Sequence, residues 1–234
     1  MNRKTAFLIC STVLLSTNIS ILTRIYADEK QTVNTSKIVD GKEESFTDET
    51  IESNTVDTSV ICNQNGGTVT INKNTLHKSG DTNNEDGKNA VVFTTGSSFT
   101  KIDQSDLQST SKGSSGIVAN EKAMVYANDS SIMTSNDSAN GLEAYSNGQI
   151  IANKMDITTQ GNQSAAVYAK QSDGSISLTN STLSTDGNNA PLLYANGTIE
   201  VDNVSGTASH SKIAEVEGGQ HLSIYNSQFS STNN

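Results

Sequence analysis

The sequence predicts an all-β chain wound into a parallel β-helix, a solenoid of about seven rungs with about 25 residues in each. Three observations carry this. An apolar-x-apolar-x-polar-x-x-apolar pattern recurs from Val69, Thr100, Val125, Ile150, Ile176, Ile199 and Leu222, at intervals of 31, 25, 25, 26, 23 and 23 residues. A second pattern recurs from Ala90, Gly116, Gly141, Ala165 and Ala190 at intervals of 26, 25, 24 and 25, so two separate anchors give one period. The composition agrees. With 33% hydrophobic residues, 5% aromatics, one proline and no tryptophan in 234 residues, the chain lacks material for a thick core, whereas a narrow coil buries only two or three apolar rows per rung.

Taken in order, residues 1–27 read as a signal peptide. Asn2-Arg3-Lys4 is a short basic start, residues 5–22 form an apolar stretch diluted by Ser and Thr, and Ile25-Tyr26-Ala27 ends on a small residue before Asp28-Glu29. The dilution argues against a retained membrane anchor, and the residues before Cys10 do not look like a lipoprotein box. Both arginines, Arg3 and Arg24, lie in this segment with Lys4, so the formal charge of −10 becomes −13 in the exported chain, with no arginine left. Such a chain is a poor partner for nucleic acid or an anionic membrane, which require clustered cations.

Residues 28–58 carry nine carboxylates against three lysines among Ser and Thr, and read as an acidic disordered linker. The coil is expected over 59–234. Within each unit the apolar residues alternate, as in Ile176/Leu178, Ile150/Ala152 and Leu222/Ile224. Turns fall at Asn147-Gly148, Asp173-Gly174, Asp186-Gly187 and Asn196-Gly197, and no helical spacing of apolar residues intervenes. Three short strands and three turns fill a rung, which stacks on the next about 4.8 Å away.

Stacking explains two columns. Lys73, Gln104, Asp129, Lys154, Asn180, Asn203 and Asn226 occupy one position, so Asn180, Asn203 and Asn226 are expected to form a ladder of side-chain amides. Leu76, Leu107, Ile132, Ile157, Leu183, Gly206 and Phe229 form an inward column, with a thin spot expected at the glycine.

Units such as Gly67-Thr68-Val69-Thr70-Ile71-Asn72-Lys73-Asn74-Thr75-Leu76 resemble the repeats of right-handed parallel β-helix surface proteins of bacteria, the adhesin-like members of the pectin-lyase-like superfamily. The resemblance spans residues 60–234. It implies a right-handed coil, and through enzymes of the same superfamily it raises polysaccharide cleavage. Lyases of that group use an Arg or Lys base beside calcium-binding acids. Here Lys154 and Lys170 are the available cations, and Asp103, Asp129 and Asp156 fall near one another without sharing a column. The resemblance also implies further rungs, a cap and an anchor beyond Ser230-Ser231-Thr232-Asn233-Asn234, so the coil is expected to continue or to end uncapped.

The remaining chemistry is sparse. Cys62 is the single thiol of the exported chain and reads as a buried small hydrophobe. His77, His210 and His221 lack ligand spacing, so no metal site and no cofactor are expected. Tyr145, Tyr168 and Tyr194 recur once per rung and are the candidate binding residues, an aromatic ladder on one side of the rod suited to sugar rings. With no catalytic residues assigned, the expected function is a non-enzymatic secreted or cell-surface adhesin-like module that contacts carbohydrate, host or matrix. The alternatives are a polysaccharide lyase or glycoside hydrolase, and a stalk without a ligand. An uncapped end rung is expected to self-associate.

Overall fold

The computed structural model describes residues 32–84 and 86–232, and within them every regular element is a β-strand. The proposed signal peptide lies outside the described residues. All strand pairs are parallel, each strand pairing with its counterpart in the next turn of the chain, so the fold is a parallel β-solenoid.

Each turn has three faces. Face one is an eight-stranded sheet running from Lys37–Asp40 through Ile61–Gln64, Val92–Thr94, Ile117–Ala119, Leu142–Ala144, Val167–Ala169 and Leu193–Ala195 to Ala214–Val216. Faces two and three belong to one 15-stranded sheet folded along a corner. Face two runs from Glu43–Thr47 to His221–Tyr225, and face three ends with Gln228–Ser231. In the fourth and fifth turns a single strand passes round that corner, Met124–Thr134 and Gln149–Thr159.

The described residues make eight turns, one more than the apolar pattern predicts, because the coil begins inside the segment expected to be a linker. Lys37–Asp40, Glu43–Thr47 and Thr50–Ser53 pair in register with the following turn. Val39, Phe46 and Ile51 supply the inward residues. Three apolar anchors suffice when neighbouring rungs share the burial; the carboxylates of this turn lie on turns and outer positions, except Glu44, which stands in register with the inward Val69.

Alternation sorts the rest. Ile61, Val92, Ile117, Leu142, Val167 and Leu193 form one inward column of face one; Val69, Thr100, Val125, Ile150, Ile176 and Ile199 form one of face two. The column expected on face three is present from Ile51 to Phe229 and includes Gly206 between Leu183 and Phe229. The glycine does not leave a thin spot. A Cβ there would meet Leu183 O at 2.8 Å, Leu183 Cβ at 3.0 Å and Leu192 Cδ1 at 3.0 Å, so its neighbours already occupy that space.

The corner between faces two and three is built the same way in every turn. Asp48, Lys73, Gln104, Asp129, Lys154, Asn180, Asn203 and Asn226 all take positive φ, between 46° and 56°, which swings the chain sharply without a glycine. After four of these eight residues comes a serine whose Oγ accepts an amide N–H of the previous rung, as Ser105 does from Asn74, Ser130 from Ser105, Ser181 from Met155 and Ser227 from Val204. The same hydroxyls donate to the carbonyl two residues back. The serine corners thus satisfy backbone groups that the bend takes out of the ladder.

The amide ladder forms beside this corner in a different register from the expected one. Asn203 Nδ2 donates to Asn180 Oδ1 at 2.8 Å, but Asn226 donates to Asp202 instead of Asn203. Below Asn180 the chain of bonds shifts to the preceding strand: Asn180 to Asn153 at 2.7 Å, Asn153 to Asn128 at 2.8 Å, and Asn128 to Asp103 at 2.7 Å. Five rungs are linked through side-chain amides and one carboxylate.

Candidate binding groove on face one

The stretch from Lys78 to Val92 is six residues longer than its counterpart from Ser109 to Ile117 and folds over the outside of face one. There it covers a second, small apolar cluster of Ala90, Phe93, Val118 and Tyr145, with Cys62 packed against it. A Cβ on Gly87 would lie 2.9 Å from Val118 Cγ1 and 3.0 Å from the Tyr145 hydroxyl, and φ is +72° there, so only glycine lets the loop settle this closely.

Lys78 holds the loop from inside. In later turns its inward position carries Ser109, Thr134 and Thr159, and the two threonines donate to a carbonyl of the following turn, Ala139 O and Ser164 O. Lys78 reaches further. Its Nζ donates to Thr55 O at 3.1 Å, Ser79 O at 2.6 Å and Gly80 O at 3.5 Å, and the residue is fully buried. Burial lowers its pKa to about 8, with Asp57 and Asp81 opposing. Asn89 adds a second tie, donating to Gly80 O and accepting from Asp57 N.

The loop forms one wall of a groove of about 750 Å³ along the outside of face one. In register on its floor stand Glu143, Tyr168, Tyr194 and Glu215. The rings of Tyr168 and Tyr194 stack at 4.6 Å. Tyr145 does not extend this pair. It sits two residues beyond Glu143, at the strand's end, is buried under the loop, and donates its hydroxyl to Asp86 O. Burial, reinforced by the nearby Glu143 carboxylate, pushes its pKa up. The ladder of three is thus corrected to a stacked pair and one structural tyrosine, because one-per-rung spacing does not distinguish the middle of a strand from its end.

Glu143, unremarkable in the sequence, is the most constrained charge in the groove. Its carboxylate is buried and accepts from Ser115 Oγ at 2.8 Å and Asn140 Nδ2 at 3.2 Å, and Lys170 Nζ lies 3.6 Å away. The same ammonium lies 5.5 Å from the centre of the Tyr145 ring. Around the groove, Lys112 is bonded to Asn83, and Lys212 is paired with Glu215 at 3.6 Å. Gln163, Asn189 and Ser138 complete a lining rich in neutral donors and acceptors.

A second, shallow concavity of about 550 Å³ lies on the corner of faces two and three and brings together Asp106, Asp129, Lys154 and Asp156. Asp103 is apart from them, taken up by Asn128. Asp129 accepts from Gln104 at 3.4 Å and Asp106 from Ser131 at 2.7 Å. Among the described residues no three His, Cys, Asp or Glu side chains converge as metal ligands. His77 contacts Thr110, His210 contacts Asp186 and His221 contacts Ser223, in separate places. Cys62 is half-buried on the outside of face one, its thiol pKa pushed up by burial.

The chain matches no protein-family model, no curated protein and no solved structure, so the functional reading rests on fold and site geometry.

Proposed function

We propose that this solenoid is an exported, non-catalytic binding module of the adhesin-like kind, and that the groove on face one takes carbohydrate. The observation that carries the reading is the Tyr168–Tyr194 pair, set on the floor of an elongated groove whose walls offer amides and hydroxyls. Aromatic surface flanked by neutral donors and acceptors suits the apolar faces and hydroxyl edges of sugar rings. Glu143 is held by three partners, which suits a fixed hydrogen-bonding group better than a proton-transfer group. Export rests on the N-terminal sequence alone.

The test is titration of the protein with panels of neutral and acidic oligosaccharides. Tyr194→Ala is expected to weaken binding by about tenfold or more with an unchanged far-ultraviolet spectrum. Uniform lack of binding across glycan panels would favour the ligand-free stalk.

A second reading is polysaccharide cleavage at the corner concavity, favoured by Lys154 lying there with three aspartates. It requires release of unsaturated or reducing sugar that disappears in Lys154→Ala or Asp156→Ala.

A further inference from the structure

The register of face two runs unbroken from Glu43–Thr47 to His221–Tyr225, five residues to a rung. Away from the middle of the coil its outward side chains are mostly small and polar, as Thr68 and Thr70 and, further along, Ser175 and Ser177 show. In the third to fifth rungs this dressing changes. Phe99 stands beside Met124 in one outward column, and Tyr126 beside Ile151 in the next. Met124 is 37% exposed and Tyr126 46% exposed, with Phe99 and Ile151 partly exposed around them. The inward side of the same strands is already filled by Val125, Ala127, Ile150 and Ala152, so the core does not require the outer four. Apolar side chains gathered outside a packed sheet mark a contact surface. Lys101 borders them in the column of Tyr126, and Asp103 lies beside Asn128 at the strand ends.

We propose that face two packs against face two of a second copy, the coils side by side and antiparallel about a two-fold axis that runs along the strands between the third and fourth rungs. The charge pattern selects this axis. Placed there, it sets Phe99 against the second copy's Met124, an aromatic ring against a thioether, and Lys101 over the second copy's Tyr126 ring. Asp103 then faces an Asn128 amide, and Glu43 of the first rung faces Ser175 of the sixth, so no like charges meet among the outward residues of the face. An axis along the coil would instead oppose Lys101 to Lys101 and Glu200 to Glu200 and press Phe99 onto Asp103, which the same residues disfavour. The first six rungs of each copy overlap, about 17 Å by about 29 Å of sheet, so the pair encloses on the order of 1,000 Å² in total, at the low end for a specific interface. Association is therefore concentration-dependent. Because the contact is isologous and uses the apolar patch of both copies, it stops at two.

Sedimentation equilibrium of the full chain over a wide concentration range tests this, with small-angle scattering for shape. The expected mass rises to twice that of one chain and stops. The particle thickens, while its maximum dimension grows by only about two rungs, roughly 10 Å. Combined Met124→Lys and Tyr126→Lys is expected to hold the single-chain mass at every concentration with an unchanged β-sheet spectrum. The milder Lys101→Glu, which removes both cation–ring contacts, should weaken dimerisation about fivefold or more. Ser184→Lys, on the outside of face three, should leave the dimer intact. A native chain that stays single, growth beyond two copies, a doubled mass with a nearly doubled length, or a dimer indifferent to the changes at Lys101, Met124 and Tyr126 would each overturn the proposal. None of these outcomes depends on whether face one binds sugar.

Discussion

The rings of Tyr168 and Tyr194 lie 4.6 Å apart and within 8° of parallel, one above the other in adjoining rungs. A double-mutant cycle with alanine at both positions should show favourable coupling of about 1 kcal/mol in denaturant unfolding. Tyr145→Ala should cost more, about 3 kcal/mol, since it empties the cluster under the loop and releases Asp86 O. Equal costs for all three alanine variants would contradict their division into a surface pair and a buried support.

Lys78 makes stability depend on pH in an uncommon direction. The unfolded side chain keeps its proton to about pH 10.5, whereas the folded one releases it near pH 8. Between those values the unfolded chain binds more protons, so unfolding free energy rises with pH across that window and is unaffected by this group below it. Subtracting the pH profile of Lys78→Met from that of the native protein isolates the slope; a difference that falls over this window would refute the assignment. The same variant should speed amide exchange in residues 79–91, which lose the bonds to Ser79 O and Gly80 O and, through Lys78, the tie to Thr55 O.

The positive φ of the corner residues is a local cost that asparagine or glycine reduces. Lys73→Asn at φ 56° is expected to raise stability by roughly 0.5–1 kcal/mol, and Lys73→Val to lower it by roughly 1–2 kcal/mol. Thermal unfolding of the two variants should move in opposite directions.

Gly206→Ala places a methyl group where Leu183 and Leu192 already stand. It is expected to destabilise by about 1–3 kcal/mol, although it adds apolar surface to an apolar column. Relief by Leu192→Ala in the same chain, measured by unfolding, would show that the clash lies with that side chain.

Most of the coil was legible in the sequence because alternation and period report the same geometry at every rung. The first turn was hidden: Glu44 breaks the apolar column, and nine carboxylates imitate the composition of a solvated linker. The groove was legible only through Tyr168 and Tyr194. Glu143 and Lys170 are ordinary charges until register places them together, and no local pattern says that residues 79–91 fold back over face one. Asn180 and Asn203 were recognisable as a stacked pair. The continuation through Asn153 and Asn128 was not, because the ladder steps sideways by one strand position where the corner column changes from asparagine to Lys154 and Asp129.

The loop over face one is spliced in where face three turns into face one, and the strands on either side keep their register despite the six extra residues. That edge of the coil therefore works as a port. The equivalent turns 110–116, 135–141 and 160–166 open on the same side, so peptide inserted at any of them would be displayed beside the groove without reindexing the stack. Lengthening turns along this one edge reshapes the surface beside the groove while leaving the winding of the coil alone.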